Sequence, residues 1–193
     1  MGSDLEYNRV LNFSMHLTTI YPLGDDHPVI GEGCFIAPTA TVIGRVSMGK
    51  NSSLWFHSVA RGDVNSITIG ENSNIQDLCM LHVDAQNPLI IEAGVSVGHN
   101  VVLHGCRIGA GTLVGMGAIV MDGVEVGTNC LIAAGALLPP GKKYPAGSLI
   151  KGSPARAERS LTVEELNRYG NHYKSYLKYK DQYLNDKSFQ KTL

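Results

Sequence analysis

An aliphatic or small residue recurs every six positions along most of the chain. The first run extends from Ile30 to Ala60, and the period resumes at Ile69, Ile91 and Ile108. A glycine often follows this position, and a small residue often stands four places after it. A period of six is typical of a hexapeptide β-helix, in which six residues form a short strand and a turn and three such units close a triangular coil. The period-six positions are Ile30, Ile36, Val42, Met48, Leu54, Ala60, Ile69, Ile75, Leu81, Ile91, Val97, Leu103, Ile108, Val114, Val120, Val126, Ile132 and Leu138.

The extent of the repeat divides the chain into three predicted segments: an N-terminal arm (1–28), a β-helix domain (29–156), and a C-terminal helix with a tail (157–193). The first ~15 residues are either a flexible arm or partly a cloning remnant, and they lack the apolar core of a signal peptide. The repeat ends near Pro139 and Pro140, and KGSPARAE (151–158) reads as an exit turn. Helical spacing follows over 161–184, with Thr162 as the expected N-cap. We expect one helix that packs along the outside of the prism.

Composition excludes several classes of function. The 193 residues are 44% hydrophobic and 17% charged, with a formal net charge of -1. This balance argues against a nucleic-acid-binding surface and against a disordered chain. No apolar run has the length of a membrane span. The four cysteines show no CxxC spacing, which favours reduced thiols in a cytoplasmic protein.

Two histidines fall in one column of the predicted prism. After allowance for two insertions and one shortened hexad, the coil count aligns Arg61, His82, His104 and Met121 on successive coils. His82 and His104 should therefore lie about 4.8 Å apart at the backbone, a spacing that suits two ligands of one ion.

A third histidine, His99, lies on a different wall and should point elsewhere within the same chain. If prisms pack around a threefold axis, the His99 of a neighbour could face His82 and His104. Three imidazoles leave an open fourth position, which is typical of catalytic rather than structural zinc. The alternative is that these histidines are solvated or interface side chains that bind nothing.

Several short motifs carry a resemblance to a known family. They are RGDV (61–64), NIQD (74–77), MLHV (80–83), VGHN (97–100), LHGC (103–106) and IGAGTLVGMGAIVMDGVEVG (108–127). In this order and spacing the sequence is similar to the γ-class carbonic anhydrases and their short-loop bacterial relatives, over roughly residues 31–156 and the C-terminal helix.

The resemblance implies an all-β fold, a left-handed parallel β-helix with a C-terminal α-helix. It also implies a homotrimer with a metal ion at each subunit interface. Zinc is the expected ion, and iron or cobalt would also suit three imidazoles. His82 and His104 would come from one subunit and His99 from the next.

The resemblance also assigns roles to other residues. Gln76 matches a glutamine that hydrogen-bonds solvent or bicarbonate beside the metal, and Tyr176 aligns loosely with a tyrosine that reaches the site. The supporting and trimer-interface positions are Arg61, Asp63, Asn74 and Asp77. Among these, Arg61 and Asp63 match a charge pair at the trimer contact.

The sequence departs from the family pattern where the proton shuttle is expected. The long acidic loop after the first ligand is reduced to VDAQNPL (83–89), in which Asp84 is the one carboxylate. Val64 replaces a second glutamate. Repeated hydration of carbon dioxide exports a proton each time, and a nearby group of suitable pKa speeds that transfer. Asp84, His57 or buffer could substitute.

The sequence therefore predicts a lyase that hydrates carbon dioxide reversibly to bicarbonate with zinc-activated hydroxide, with Gln76 orienting water or product. Two alternatives stay open. The short loop favours a non-catalytic zinc-binding trimer, an accessory protein. The repeat alone also suits a hexapeptide acyltransferase, which uses one histidine as a base and binds coenzyme A between coils. None of these readings involves nucleic acid or a membrane.

Overall fold

Short parallel strands stack into a solenoid of about seven coils, followed by helices. A computed structural model describes residues 19–191. Most of the predicted N-terminal arm, including its first ~15 residues, lies outside the described residues. Within the described part, no helix is long and apolar enough to cross a membrane.

The strands are two or three residues long at most positions, as a hexapeptide period requires. They are β1 (Ile20–Tyr21), β2 (Val29–Ile30), β3 (Phe35–Ile36), β4 (Thr41–Met48), β5 (Ser53–Leu54), β6 (Val59–Ile69), β7 (Asn74–Ile75), β8 (Met80–His82), β9 (Leu89–Ile91), β10 (Ser96–Val97), β11 (Val102–His104), β12 (Arg107–Ile108), β13 (Leu113–Val114), β14 (Ile119–Val120), β15 (Glu125–Val126), β16 (Leu131–Ile132), β17 (Leu137–Leu138), β18 (Lys143–Tyr144), β19 (Ser148–Gly152) and β20 (Ala155–Ser160).

The strands form three walls. The first wall runs β6–β8–β11–β14–β17, and the second runs β6–β9–β12–β15–β18. The long strands β4 and β6 pass through the corner between these two walls, and β1 and β2 pair with β4. The third wall runs β3–β5–β7–β10–β13–β16–β19–β20. All neighbours are parallel except β19 and β20, which are antiparallel.

The period-six residues fill the interior, as the sequence predicts. Leu54, Leu81, Leu103 and Ile132 are fully buried, each at 0% exposure. Each such side chain contributes about 1.5–3 kcal/mol by leaving water. Period-six residues before Val42 are only partly buried, because they lie on the first coil.

An insertion in β6 shapes the corner where the site forms. Gly44 pairs with Gly62, but Val46 pairs with Ile67, so β6 carries three more residues than β4 at this point. These are the three extra residues that the coil count requires. The insertion contains Asp63 and places it at the corner between the first and second walls.

The C-terminal part differs from the prediction in three ways. The repeat does not end at Pro139 and Pro140, because β18 and β19 continue the solenoid, with Tyr144 paired to Val126 and Ile150 to Ile132. The predicted exit turn is instead the tip of the antiparallel pair β19–β20, which continues to Ser160. The single predicted helix is divided into α1 (Val163–Tyr169), α2 (Tyr173–Asn185) and α3 (Lys187–Lys191). Gly170 is the C-cap of α1, and glycine is a poor residue for continuing a helix.

The start of the helical segment agrees with the sequence. Thr162 is the N-cap of α1, and with Glu165 it forms a capping box. Helix α2 packs against the outer face of the third wall through aromatic rings. Tyr176 lies 5.5 Å from Trp55 between ring centroids, and Tyr183 lies 5.4 Å from Phe35.

Candidate metal centre

His82 and His104 meet at the corner between the first and second walls, which we call the His82 corner. They end β8 and β11, and the parallel register pairs them directly, as the coil count predicts. His82 Nδ1 lies 3.0 Å from His104 Nε2. Both side chains are partly exposed, at 17% and 34%. The pair is therefore preassembled by strand stacking and open on one side.

The outer nitrogen of each ring contacts a carboxylate. His82 Nε2 lies 2.9 Å from Asp63 Oδ1, and His104 Nδ1 lies 2.5 Å from Asp122 Oδ1. A carboxylate accepts hydrogen bonds, so each outer nitrogen carries the proton. The two inner nitrogens then face each other with their lone pairs. This arrangement is repulsive unless a cation binds both lone pairs or one inner nitrogen carries a proton and donates it to the other. Imidazole nitrogen is a preferred ligand of zinc.

Asp63 is itself held by Arg61, with which it forms an ion pair. Burial raises the pKa of the Asp63 carboxyl, but hydrogen bonds from His82 and Arg61 outweigh burial and hold the pKa below 3.8. Arg61 and Asp63 thus pair with each other within one chain, whereas the resemblance implies charge pairing between subunits, which stays a prediction. Arg61 anchors the carboxylate that orients His82.

His99 lies at a different corner, between the third and first walls, which we call the His99 corner. It follows β10, and its Nδ1 lies 2.9 Å from Asp77 Oδ2. The other Asp77 oxygen accepts a hydrogen bond from the backbone N–H of Phe56, at 3.2 Å. The Nε2 of His99 is left as the candidate ligand, and the side chain is 43% exposed.

Asn74 and Gln76 lie close to this second corner, on the outer face of the third wall. Both are buried, at 1% and 4% exposure. Asn74 Nδ2 donates to Ser96 Oγ at 2.9 Å, and Gln76 Nε2 donates to Asn74 Oδ1 at 3.1 Å. These bonds fix the orientation of the Gln76 amide, so that its oxygen is available as an acceptor.

Tyr176 of α2 also lies on the His99 side. With Asp77, Trp55 and Tyr179 it lines a cavity of about 340 Å³ between α2 and the solenoid. Burial and, secondarily, the charge of Asp77 raise the pKa of Tyr176 to about 12. Its hydroxyl therefore keeps its proton at neutral pH.

The two corners are too far apart to share an ion within one chain. His99 precedes β11 and His104 ends it, so the two side chains lie at opposite edges of the first wall. Zinc binds imidazole nitrogen at about 2.1 Å. Residues 19–191 accordingly contain no group of three His, Cys, Asp or Glu side chains that could hold a metal. A site with three imidazoles would need the His99 corner of a second copy.

The sequence interpretation missed Asp122. The available signal was its place in the register: Leu103 pairs with Val120, so Met121 lies one coil further along than His104, and Asp122 is the residue that follows it. The coil count assigned the preceding residue, Met121, to the column. Strand register places the backbone of each residue, but it does not indicate that the side chain of Asp122 reaches back to His104.

Asp84, the one carboxylate of the short loop, is occupied by local hydrogen bonds. Its Oδ1 accepts from the backbone N–H groups of Gln86 and Asn87, at 2.8 and 2.6 Å. The hydrogen bond from the Asn87 side chain is the largest cause that lowers the pKa of Asp84. A carboxylate with a lowered pKa is a poor carrier of protons near neutrality.

The cysteines have no place in the candidate site. All four are free, and Cys79, Cys106 and Cys130 are buried. Burial raises the pKa of Cys79 to about 12, so its thiol stays protonated. A buried, protonated thiol is a poor nucleophile at neutral pH.

Comparison with known proteins identifies relatives along most of the chain. The family model described as bacterial transferase hexapeptide (six repeats) matches residues 105–140. A carbonic anhydrase of Geobacillus kaustophilus is 42% identical over 173 residues, which cover 90% of this chain and 94% of that protein. The mitochondrial γ carbonic anhydrase 1 of Arabidopsis thaliana is 38% identical over 154 residues, 77% of this chain. The match spans only 56% of the length of that plant protein.

A solved structure from Bacillus cereus, provisionally described as an acetyltransferase, has the same fold. It is 43% identical, with a TM-score of 0.83, and the match covers 85% of this chain and 95% of that one. Proteins similar to this chain are thus described both as carbonic anhydrases and as an acetyltransferase. The fold does not distinguish these functions, so the residues of the site must distinguish them.

Proposed function

The chain belongs to the γ-class carbonic anhydrase family, and from this membership we propose that it hydrates carbon dioxide reversibly at a zinc site shared between two copies of the chain. His82 and His104 of one copy and His99 of the next would hold the ion, and three copies would close a ring. Iron or cobalt would fit the same three imidazoles.

The observation that carries this proposal is the pair of inner nitrogens at the His82 corner. His82 Nδ1 and His104 Nε2 lie 3.0 Å apart, while both outer nitrogens contact carboxylates. This donor set suits a divalent cation and leaves room for further ligands. When bound, zinc lowers the pKa of a water molecule toward 7 and so supplies hydroxide at neutral pH.

The residues around the ion would orient the reactants. Asp63, Asp77 and the residues that anchor them hold the imidazoles in place. The fixed amide oxygen of Gln76 would accept a hydrogen bond from water or from the hydroxyl of bicarbonate. The protonated hydroxyl of Tyr176 can donate a hydrogen bond to an oxygen of bicarbonate, if the two corners of adjacent copies come together.

Two rival functions remain as outcomes of the test. The local hydrogen bonds of Asp84 favour a zinc-binding trimer without efficient proton transfer, and hence an accessory protein. The likeness to the Bacillus cereus structure favours an acyltransferase. We also propose the cytoplasm as the compartment, because the four cysteines are free thiols.

The test compares zinc content and carbon dioxide hydration in wild-type protein and His104→Ala. We expect about one zinc per chain and measurable hydration in wild type, and the loss of both in the variant. His27→Ala is the matched control and should behave as wild type, because His27 is exposed and forms no hydrogen bond or ion pair with a site residue within residues 19–191. Zinc without hydration, even with imidazole added as a proton carrier, would favour the accessory role. Absence of zinc together with acetyl transfer from acetyl coenzyme A would favour the acyltransferase.

A further inference from the structure

We propose that Asp122 is a positioning residue of the metal centre, whose carboxylate fixes His104 in the tautomer that presents Nε2 as a ligand. The inference rests on the proposed function in that His104 is taken to bind metal. Asp122 Oδ1 lies 2.5 Å from His104 Nδ1, one coil further along the first wall. A hydrogen bond to an ionised carboxylate is stronger than one between two neutral groups.

The backbone next to His104 leaves space for this carboxylate. Gly105 has φ +49°, and a Cβ at this position would lie 2.6 Å from Asp122 Oδ1. The backbone N–H of Gly123 donates to Gly105 O at 2.7 Å. This bond joins the two coils beside the contact between Asp122 and His104. The absence of a side chain at Gly105 therefore permits the Asp122 carboxylate to reach the His104 ring.

The charge of Asp122 is directed at His104 alone. Asp63 is ion-paired with Arg61, and Asp77 also accepts a backbone hydrogen bond. Within residues 19–191, the Asp122 side chain accepts no other hydrogen bond and forms no ion pair with Lys or Arg. Its charge is thus not neutralised by a second group, and it acts on the imidazole.

The consequence is a fixed proton on Nδ1 and a free lone pair on Nε2. Without the carboxylate, the neutral ring would interconvert between both tautomers and both ring orientations. Carboxylates that accept a hydrogen bond from a metal-binding histidine fix its tautomer and ring orientation. Their removal typically weakens metal binding by about 10- to 100-fold. Asp122 would accordingly act through His104 without touching the substrate.

The first test measures zinc affinity by competition with a chromophoric chelator. We expect Asp122→Ala to bind zinc about 10- to 100-fold more weakly than wild type. Asp122→Asn, which keeps an acceptor oxygen but loses the charge, should show a smaller loss. Glu125→Gln is the matched control, because Glu125 is an exposed carboxylate three residues further on that pairs with Lys143. Wild-type affinity in Asp122→Ala would overturn the proposal.

The second test reads the tautomer directly, in metal-free protein at pH 8, from the ¹⁵N chemical shifts of the histidine side chains. Wild type should show His104 protonated on Nδ1, and Asp122→Ala should show a mixture of tautomers with unchanged backbone shifts. An unchanged tautomer in the variant would refute the positioning role. This measurement stands even if the wild-type protein hydrates no carbon dioxide, so failure of the proposed function and failure of this inference are distinguishable.

Discussion

At the scale of single residues, each candidate histidine ligand is paired with its own aspartate. Coil counting was sufficient to stack His82 on His104, because the side-chain direction follows from the strand register. It could not predict which ring nitrogen faces inward, since that depends on rotamers and on acceptors from other coils. The role of Asp122 could not be predicted for the same reason. Asp63 and Asp77 are identified only through the family resemblance.

The hydrogen bonds around Asp84 give a prediction about proton transfer. Asp84→Asn should leave the rate of carbon dioxide hydration within about twofold of wild type, because a carboxyl with a lowered pKa contributes little as a proton carrier near neutrality. Stopped-flow measurement with a pH indicator, at low and high buffer concentration, checks this. A tenfold loss in the variant, restored by added imidazole, would show that Asp84 is a shuttle after all.

At the scale of elements, the repeat predicted the solenoid well and the segments without a repeat poorly. The period-six positions point into the coil, and the small residues four places after them, such as Cys79, Ala118 and Cys130, are buried as well. The period of six continues through Tyr144 of β18 and Ile150 of β19, but β20 reverses direction and has no such period, so nothing in its sequence distinguished it from a turn. The break between α1 and α2 at Gly170 interrupts a helical spacing that continues across it.

Helix α1 supplies a prediction about acid sensitivity. The pKa of Glu165 is lowered from 4.5 to about 2, because Arg159 donates two hydrogen bonds to it and the Thr162 backbone donates a third. The folded pKa lies below the unfolded one, so this contribution to stability is complete above about pH 4.5. It is lost as the pH falls toward 2.

The corresponding measurement is the hydrogen-exchange protection of α1 amides in wild type and Glu165→Gln. At pH 7 the variant should be less protected than wild type, and the difference should shrink between pH 4.5 and 2. Glu164→Gln is the control, since Glu164 forms no ion pair within residues 19–191. A difference that stays constant across this pH range would contradict the assignment.

At the scale of the whole molecule, the candidate site exists as two halves at opposite edges of the first wall. The His82 corner carries two imidazoles, and the His99 corner carries the third together with Gln76 and Tyr176. Near the His99 corner, exposed apolar side chains include Leu78, at 59% exposure, and Met116, at 58%. Exposed apolar residues clustered in this way are typical of a surface that another protein covers.

Central to this account is the sharing of one metal site by two copies, and subunit complementation tests it most directly. His99→Ala and His104→Ala chains would be purified separately, mixed, unfolded and refolded together, and then assayed for zinc and for carbon dioxide hydration. Each variant alone should have neither. In a random mixture of trimers, about one interface in four pairs an intact His82 corner with an intact His99 corner, so about a quarter of wild-type zinc content and hydration should return. If the mixture recovers nothing while wild type refolded in the same way recovers both, the site is not shared and the account is wrong.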